Sequence, residues 1–387
     1  MVQIALFAAA VSIIIGLVLR GFNIALAMML ALLVYSAPLL GRGFIDVVAA
    51  SFNATMLNTV LSLVLAMVLA NLYKNSRASV ELVKSFESFG KRVASIAVPA
   101  VIGLLPMPAG AYVSATMIDP VYSRMGLSSE EKAFLNYWFR HLWVATWPLY
   151  QNIILAAALL GLTYAQIFSK TWIITASALA SGVIMFSIIY RGRGGSGSPG
   201  RSFKGLIHTW PFMLIALLTL AMGVQLYLSL LATVSLFIVA YRLGKNTVLQ
   251  SLRKAADPTL IGLIIASLIF GNTIKATGLA SILADSLASH GTLAVFAIPF
   301  IIVVATGFEF TFVALGFPAL QGLLSSSSNY LTIAFLGGFL GAMLSPAHAC
   351  LVMSSKYFNT ELPRVYRYVL PAASIALITS AIIILLT

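Results

Sequence analysis

The segment Leu104–Asp119, LLPMPAGAYVSATMID, sets Pro106, Pro108 and Gly110 between two apolar runs, Val93–Leu105 and Ala111–Met117. Proline removes a backbone donor and collides with the preceding turn, so a helix arriving at Leu105 must break. In hydrocarbon a broken backbone survives only where protein or a water-filled cavity surrounds it. A short apolar helix, a Pro/Gly tip and a second short apolar helix describe a re-entrant hairpin that turns back inside the membrane. Such tips aim the partial charges of helix ends at a ligand.

Composition makes hydrocarbon the relevant solvent. Of the 387 residues, 60% are hydrophobic and 9% charged, whereas a soluble domain is about a quarter charged. The expected fold is an all-α polytopic membrane protein. The net charge of +13 lies mostly in short loops between apolar runs. That is the positive-inside pattern, not a nucleic-acid surface. A single cysteine, Cys350, excludes an internal disulfide, gives no metal-ligand cluster and reads as a buried small residue. Val2–Leu19 lacks a basic flank and a small-residue cleavage site, and reads as a retained first helix.

Further spans are expected at Phe22–Leu40 and Val47–Leu72, followed by an amphipathic interfacial stretch at Ser79–Gly90 and the first hairpin at 93–122. The SSEEK sequence starts a capped helix that runs over 133–162 and is interrupted at Trp147-Pro148. A span at Thr171–Tyr190 leads into the Gly/Ser-rich basic linker Arg191–Gly205. Spans at Trp210–Leu228 and Leu230–Arg242, a basic loop to Lys254, and a span at Pro258–Ile274 come next. They precede a second hairpin at 292–322, a helix over 331–355 interrupted at Ser345-Pro346, and a last span, Val369–Leu386.

The two halves superpose with an offset of about 200 residues. Asn71–Lys74 falls on Asn272–Lys275, Gly90 on Gly291, Pro108–Gly110 on Thr306–Phe308, and Trp147–Gln151 on Ser345–Ala349. The domain reading is therefore a first repeat at 1–168, a connecting helix and linker at 169–205, a second repeat at 206–360 and a C-terminal helix at 361–387. With both termini outside, the loops Lys74–Arg92, Arg124–Lys132, Arg191–Lys204, Arg242–Lys254 and Lys356–Arg367 fall on the cytoplasmic side and hold nearly all the basic loop residues. The repeats are then inverted, and their hairpins meet near the midplane from opposite faces.

The segments LLPMPAGAYVSATMIDPVY, NYWFRHLWVATWPLY and LSPAHACLVMSSKYF resemble the DUF401 family of integral membrane proteins over most of the chain. That family is grouped with the ion transporter superfamily, alongside gluconate, citrate, C4-dicarboxylate and arsenite permeases and sodium/proton antiporters. The resemblance implies about ten to twelve helices, two re-entrant hairpins, two interrupted helices, elevator-type movement and a homodimer in the cell membrane. It names no solute. The first tip reads MPAGA where some superfamily members carry an Asn/Thr motif.

Few residues in the spans carry charge. Glu309, at the second hairpin break, is a candidate proton carrier or coupling-ion ligand, or else a structural partner for a buried base. Asp119 is a second such candidate, although its place before Pro120 also fits a solvated helix end. Arg140 offers a permanent cationic fork for an oxyanion, or a buried ion pair with Asp119 or Glu309. His141 and His348 lie beside the interruptions as hydrogen-bonding or protonating groups. Pro108, Ala109, Gly110, Ser114, Thr146, Tyr150, Thr306, Gly307, Thr311 and Ser345 complete a candidate polar cavity around the four breaks. No HExxH, GxSxG, paired intramembrane aspartate or nucleotide loop is present. The expected function is secondary transport of a small, carboxylate-like anion coupled to Na⁺ or H⁺, without a bound cofactor. A cation/proton antiporter using Glu309 is the alternative, and an enzyme is not expected.

Overall fold

The computed structural model describes residues 2–107, 110–191 and 202–386, and every regular element among them is helical. The first half comprises α1 (Val2–Leu19), α2 (Ile24–Leu40), α3 (Gly43–Ser51), α4 (Ala54–Lys74) and α5 (Arg77–Ser88). It continues with α6 (Lys91–Gly103), α7 (Gly110–Arg124), α8 (Ser129–Arg140), α9 (Gln151–Leu160) and α10 (Tyr164–Ile189). After a 3₁₀ turn at Lys204–Thr209 come α11 (Trp210–Ile215), extended by a π-turn at Ala216–Ala221, α12 (Leu226–Ala240), α13 (Lys245–Ala255), α14 (Pro258–Thr277) and α15 (Leu279–Leu287). The chain ends with α16 (Gly291–Thr306), a π-turn at Phe312–Gly316, α17 (Phe317–Leu324), α18 (Tyr330–Leu344), α19 (Ala349–Tyr357) and α20 (Leu362–Leu386). Eight helical segments among the described residues are long and apolar enough to cross a membrane, and shorter apolar helices accompany them. The protein is a polytopic all-α membrane protein.

Side-chain caps set many of the starts. Asn23, Asn53 and Asp257 accept from the first free amides of α2, α4 and α14. Ser128 with Glu131 and Thr163 with Gln166 form capping boxes at α8 and α10. These caps also correct the expected spans. The Asn53 cap splits Val47–Leu72 into α3 and α4, and the Thr163 cap starts α10 seven residues before Thr171. The basic stretch expected as a loop to Lys254 folds into α13, which packs on α4.

The interior prolines leave carbonyls that side chains recover. Pro99, Pro148 and Pro346 cannot donate to the residue four positions earlier. Tyr122 Oη donates to the Ser95 carbonyl at 2.9 Å, Asn152 Nδ2 to Val144 at 2.8 Å, and Tyr137 Oη to Ala342 at 2.8 Å. The bonds to Ser95 and Val144 replace the donors that proline removes, and an unpaired buried acceptor would cost about 1–3 kcal/mol. The Ala342 carbonyl, which also accepts from the Ser345 amide at 3.3 Å, gains a second donor.

From α4 to α10 and again from α14 to α20 the chain runs through one order: long helix, short helix, two hairpin arms, two half-helices, long helix. Packing is exchanged between the halves. α2 and α3 pack on α14, α12 and α13 pack on α4, and α10 packs on α20. The basic loops gather at one end. There Arg124 pairs with Glu87 at 3.1 Å, Arg92 lies over the Tyr190 ring, and His208 bridges Glu81 and Tyr241. Lys132, over the Phe358 ring, brings the loop after α19 to the same end.

Candidate functional site

The two interruptions meet at the centre. The first begins earlier than Trp147-Pro148 suggests: α8 ends at Arg140 and α9 starts at Gln151, so His141, Thr146 and Tyr150 all lie in the broken segment. Close packing at Gly103 accompanies the early end. A Cβ on Gly103 would stand 2.1 Å from the Arg140 carbonyl oxygen, so only glycine lets the end of α6 press onto the end of α8. The second break, Ser345–His348, falls where Pro346 places it. There Gly307, in the left-handed conformation at φ 74°, turns the second hairpin against Ala347, whose oxygen a Cβ at 307 would approach to 2.6 Å. Each hairpin end thus rests on the break of its own half.

A cavity of about 340 Å³ lies between these elements, lined by Pro106, Met107, Arg140, Tyr150, Gln151, Glu309 and Cys350, with Met67 on one side. It extends to Asp257 and Thr259 at the start of α14, beside the basic end. Arg140 is 4% exposed. Its Nη1 reaches Cys350 Sγ at 3.6 Å, while Nε is buried without a hydrogen-bond partner. Among the described residues no carboxylate lies within 4.0 Å of the guanidinium. Neither ion pair weighed for it, with Asp119 or with Glu309, is formed. Glu309, its side chain 20% exposed, instead points Oε2 toward His348 Nε2 at 3.6 Å.

His348 also meets His141, Nε2 to Nε2, at 3.2 Å. His141 Nδ1 lies 2.6 Å from the Tyr137 carbonyl and donates to it, because a carbonyl can only accept. Around these groups Asn136 joins three elements. Its Nδ2 donates to the Ala111 carbonyl and Ser354 Oγ, and its Oδ1 accepts from Ser114 Oγ at 2.6 Å.

Several sequence candidates sit elsewhere or are already engaged. The Asp119 carboxylate accepts from Lys132 Nζ at 2.8 Å in a partly exposed pair, away from the cavity. Ser114 is spent on Asn136, Thr146 bonds Thr175, and Tyr150 Oη donates to the Gly103 carbonyl. Thr306 and Thr311 bond each other at 2.7 Å within the second tip, and Ser345 Oγ donates to the Val304 carbonyl. Gly110 underlies the guanidinium. Pro108 and Ala109 lie outside the described residues. The sequence reading missed Gln151, Asp257 and Cys350; the Asp257-Pro258 helix start was a usable signal for the second of these.

Fold and site together define a membrane-embedded helical protein with an arginine-bearing internal cavity between two interrupted helices. The chain matches the family described as "Protein of unknown function (DUF401)" over residues 2–387, and it belongs to that family. A search of the curated proteins found no match.

Proposed function

We propose that this protein is a secondary active transporter of a small, carboxylate-like anion coupled to Na⁺ or H⁺, with Arg140 as the anion ligand. The observation that carries the reading is the guanidinium itself: buried, without an ion-pair partner among the described residues, and lining a cavity of about 340 Å³. A buried guanidinium without a direct ion pair costs several kcal/mol, and an anionic ligand recovers part of it. The volume suits a small solute.

The exchanged packing and repeated element order support two copies of inverted topology, hence alternating access by an elevator-type movement in the ion transporter manner. Positive charge marks the cytoplasmic side of a cell membrane protein, which puts both termini outside and directs the cavity inward. A homodimer belongs to the same reading; an enzymatic role does not.

The test is a thermal-shift screen of the purified protein against carboxylates and phosphonates, with and without Na⁺, followed by uptake into proteoliposomes. A ligand for the folded state raises the melting point. Arg140→Ala is expected to lose the shift and the uptake; uptake equal to wild type would overturn the assignment. The second reading, a cation/proton antiporter, rests on Glu309 facing the same cavity.

A further inference from the structure

The geometry points to a transition-metal site formed by His141, His348 and Cys350, selective for a borderline-soft divalent ion such as Zn²⁺ or Co²⁺. Their ligating atoms all lie within 4.8 Å of one another, with both histidines buried and Cys350 on the cavity wall. The inference does not depend on the transport reading.

Hydrogen bonding fixes the roles. Because His141 Nδ1 donates to the Tyr137 carbonyl, neutral His141 presents a bare lone pair at Nε2. A backbone acceptor on the far nitrogen is the outer-shell arrangement that orients metal-bound histidines. That lone pair faces His348 Nε2 at 3.2 Å. If His348 donates from Nε2, its own Nδ1 becomes an acceptor, and that buried atom has no partner at hydrogen-bond geometry. A metal between the two Nε2 atoms satisfies both lone pairs at once, with the His348 proton moved to Nδ1.

The spacing agrees. Two nitrogens on a tetrahedral Zn²⁺, each about 2.0–2.1 Å from the metal, stand about 3.3–3.4 Å apart. A thiolate in the same sphere lies about 3.6 Å from each nitrogen, so a side-chain shift of about 1 Å is enough to seat Cys350. Binding deprotonates the thiol and releases its proton to the cavity water. Arg140 Nη1, 3.6 Å from Sγ, stabilises the thiolate. Glu309 Oε2, 3.6 Å from His348 Nε2, is placed to fill the fourth position or to balance the added charge. Two nitrogens and one sulfur favour Zn²⁺ or Co²⁺ over Mg²⁺ or Ca²⁺. A metal here would join the two interruptions, with His141 in the first and His348 in the second.

The sequence contains one cysteine, so any thiolate-to-metal signal reports Cys350. Metal-free, untagged full-length protein in detergent is titrated with Co²⁺. Expected are about one equivalent retained, a near-ultraviolet thiolate-to-Co²⁺ band with tetrahedral visible absorption, and displacement by Zn²⁺ but not Mg²⁺. His348→Gln is expected to weaken Co²⁺ binding at least tenfold, and Cys350→Ser to abolish the near-ultraviolet band. Folded wild-type protein without that band at saturating Co²⁺ overturns the site, as does undiminished affinity in folded His348→Gln.

Discussion

Gly110 lies directly against the Arg140 guanidinium, where a Cβ would stand 1.9 Å from Nη2. The absent methyl leaves room for the side chain to extend along the cavity. Gly110→Ala puts the obstacle against the flexible end of a side chain, so the guanidinium moves and the backbone does not. Alanine also favours the start of α7 by up to about 1 kcal/mol. The variant is expected to keep its melting point within a few degrees while its affinity for the transported anion falls at least tenfold. Titrated thermal shifts check both quantities, and undiminished affinity would refute this positioning role.

Gly103→Ala is the contrasting case. Its Cβ would meet a backbone oxygen, that of Arg140, at 2.1 Å, and backbone cannot rotate away. Overpacking of this kind costs about 1–3 kcal/mol, so here the melting point itself is expected to fall. A melting point equal to wild type would mean that α6 and α8 separate without penalty.

Why the sequence disclosed the breaks but not the cavity follows from these contacts. Pro346 and Gly307 mark their breaks through local backbone chemistry, which a sequence displays. The early end of α8 coincides with close packing on Gly103, thirty-seven positions away, and no local signal carries that. Cys350 was set aside as a lone cysteine, a buried small residue, whereas folding brings His141 from the other half beside it and its chain neighbour His348. The hydroxyls near the breaks were expected around a polar cavity. Their bonds to backbone and to each other, such as Thr306 to Thr311, are set by tertiary geometry.

Asp119→Asn tests whether a carboxylate outside the cavity matters. The side chain pairs with Lys132, at 34% and 16% exposure respectively, and a partly solvated pair contributes about 0–1 kcal/mol. Transport rate and cation dependence are expected to match wild type, with at most a small fall in melting point. A variant that has lost cation dependence would return Asp119 to the coupling machinery.

Asn136→Leu removes the amide that ties α7, α8 and α19 together. The Ala111 carbonyl and the Ser114 and Ser354 hydroxyls each lose a partner, and isosteric bulk replaces none of the bonds. Ser114 Oγ keeps its bond to the Ala111 carbonyl, so the lost bonds are expected to cost about 1–3 kcal/mol. Chemical denaturation of the detergent-solubilised protein measures it, and a loss below about 0.5 kcal/mol would show that the network is dispensable.

Glu309→Gln separates the two transport readings because the amide keeps the shape and removes the charge. In a coupled anion carrier, Glu309 balances the charge of the coupling cation, whereas Arg140 holds the solute. The variant is then expected to exchange labelled solute across proteoliposomes at near wild-type rates but to lose accumulation driven by a cation gradient. In an antiporter the same substitution abolishes cation-dependent proton flux, and no anion exchange accompanies it in either protein. Gradient-driven accumulation or proton flux equal to wild type would remove Glu309 from both schemes. Coupling would then have to lie elsewhere along the cavity, where Asp257, already committed to capping α14 through Thr259 and Leu260, is the carboxylate to examine next.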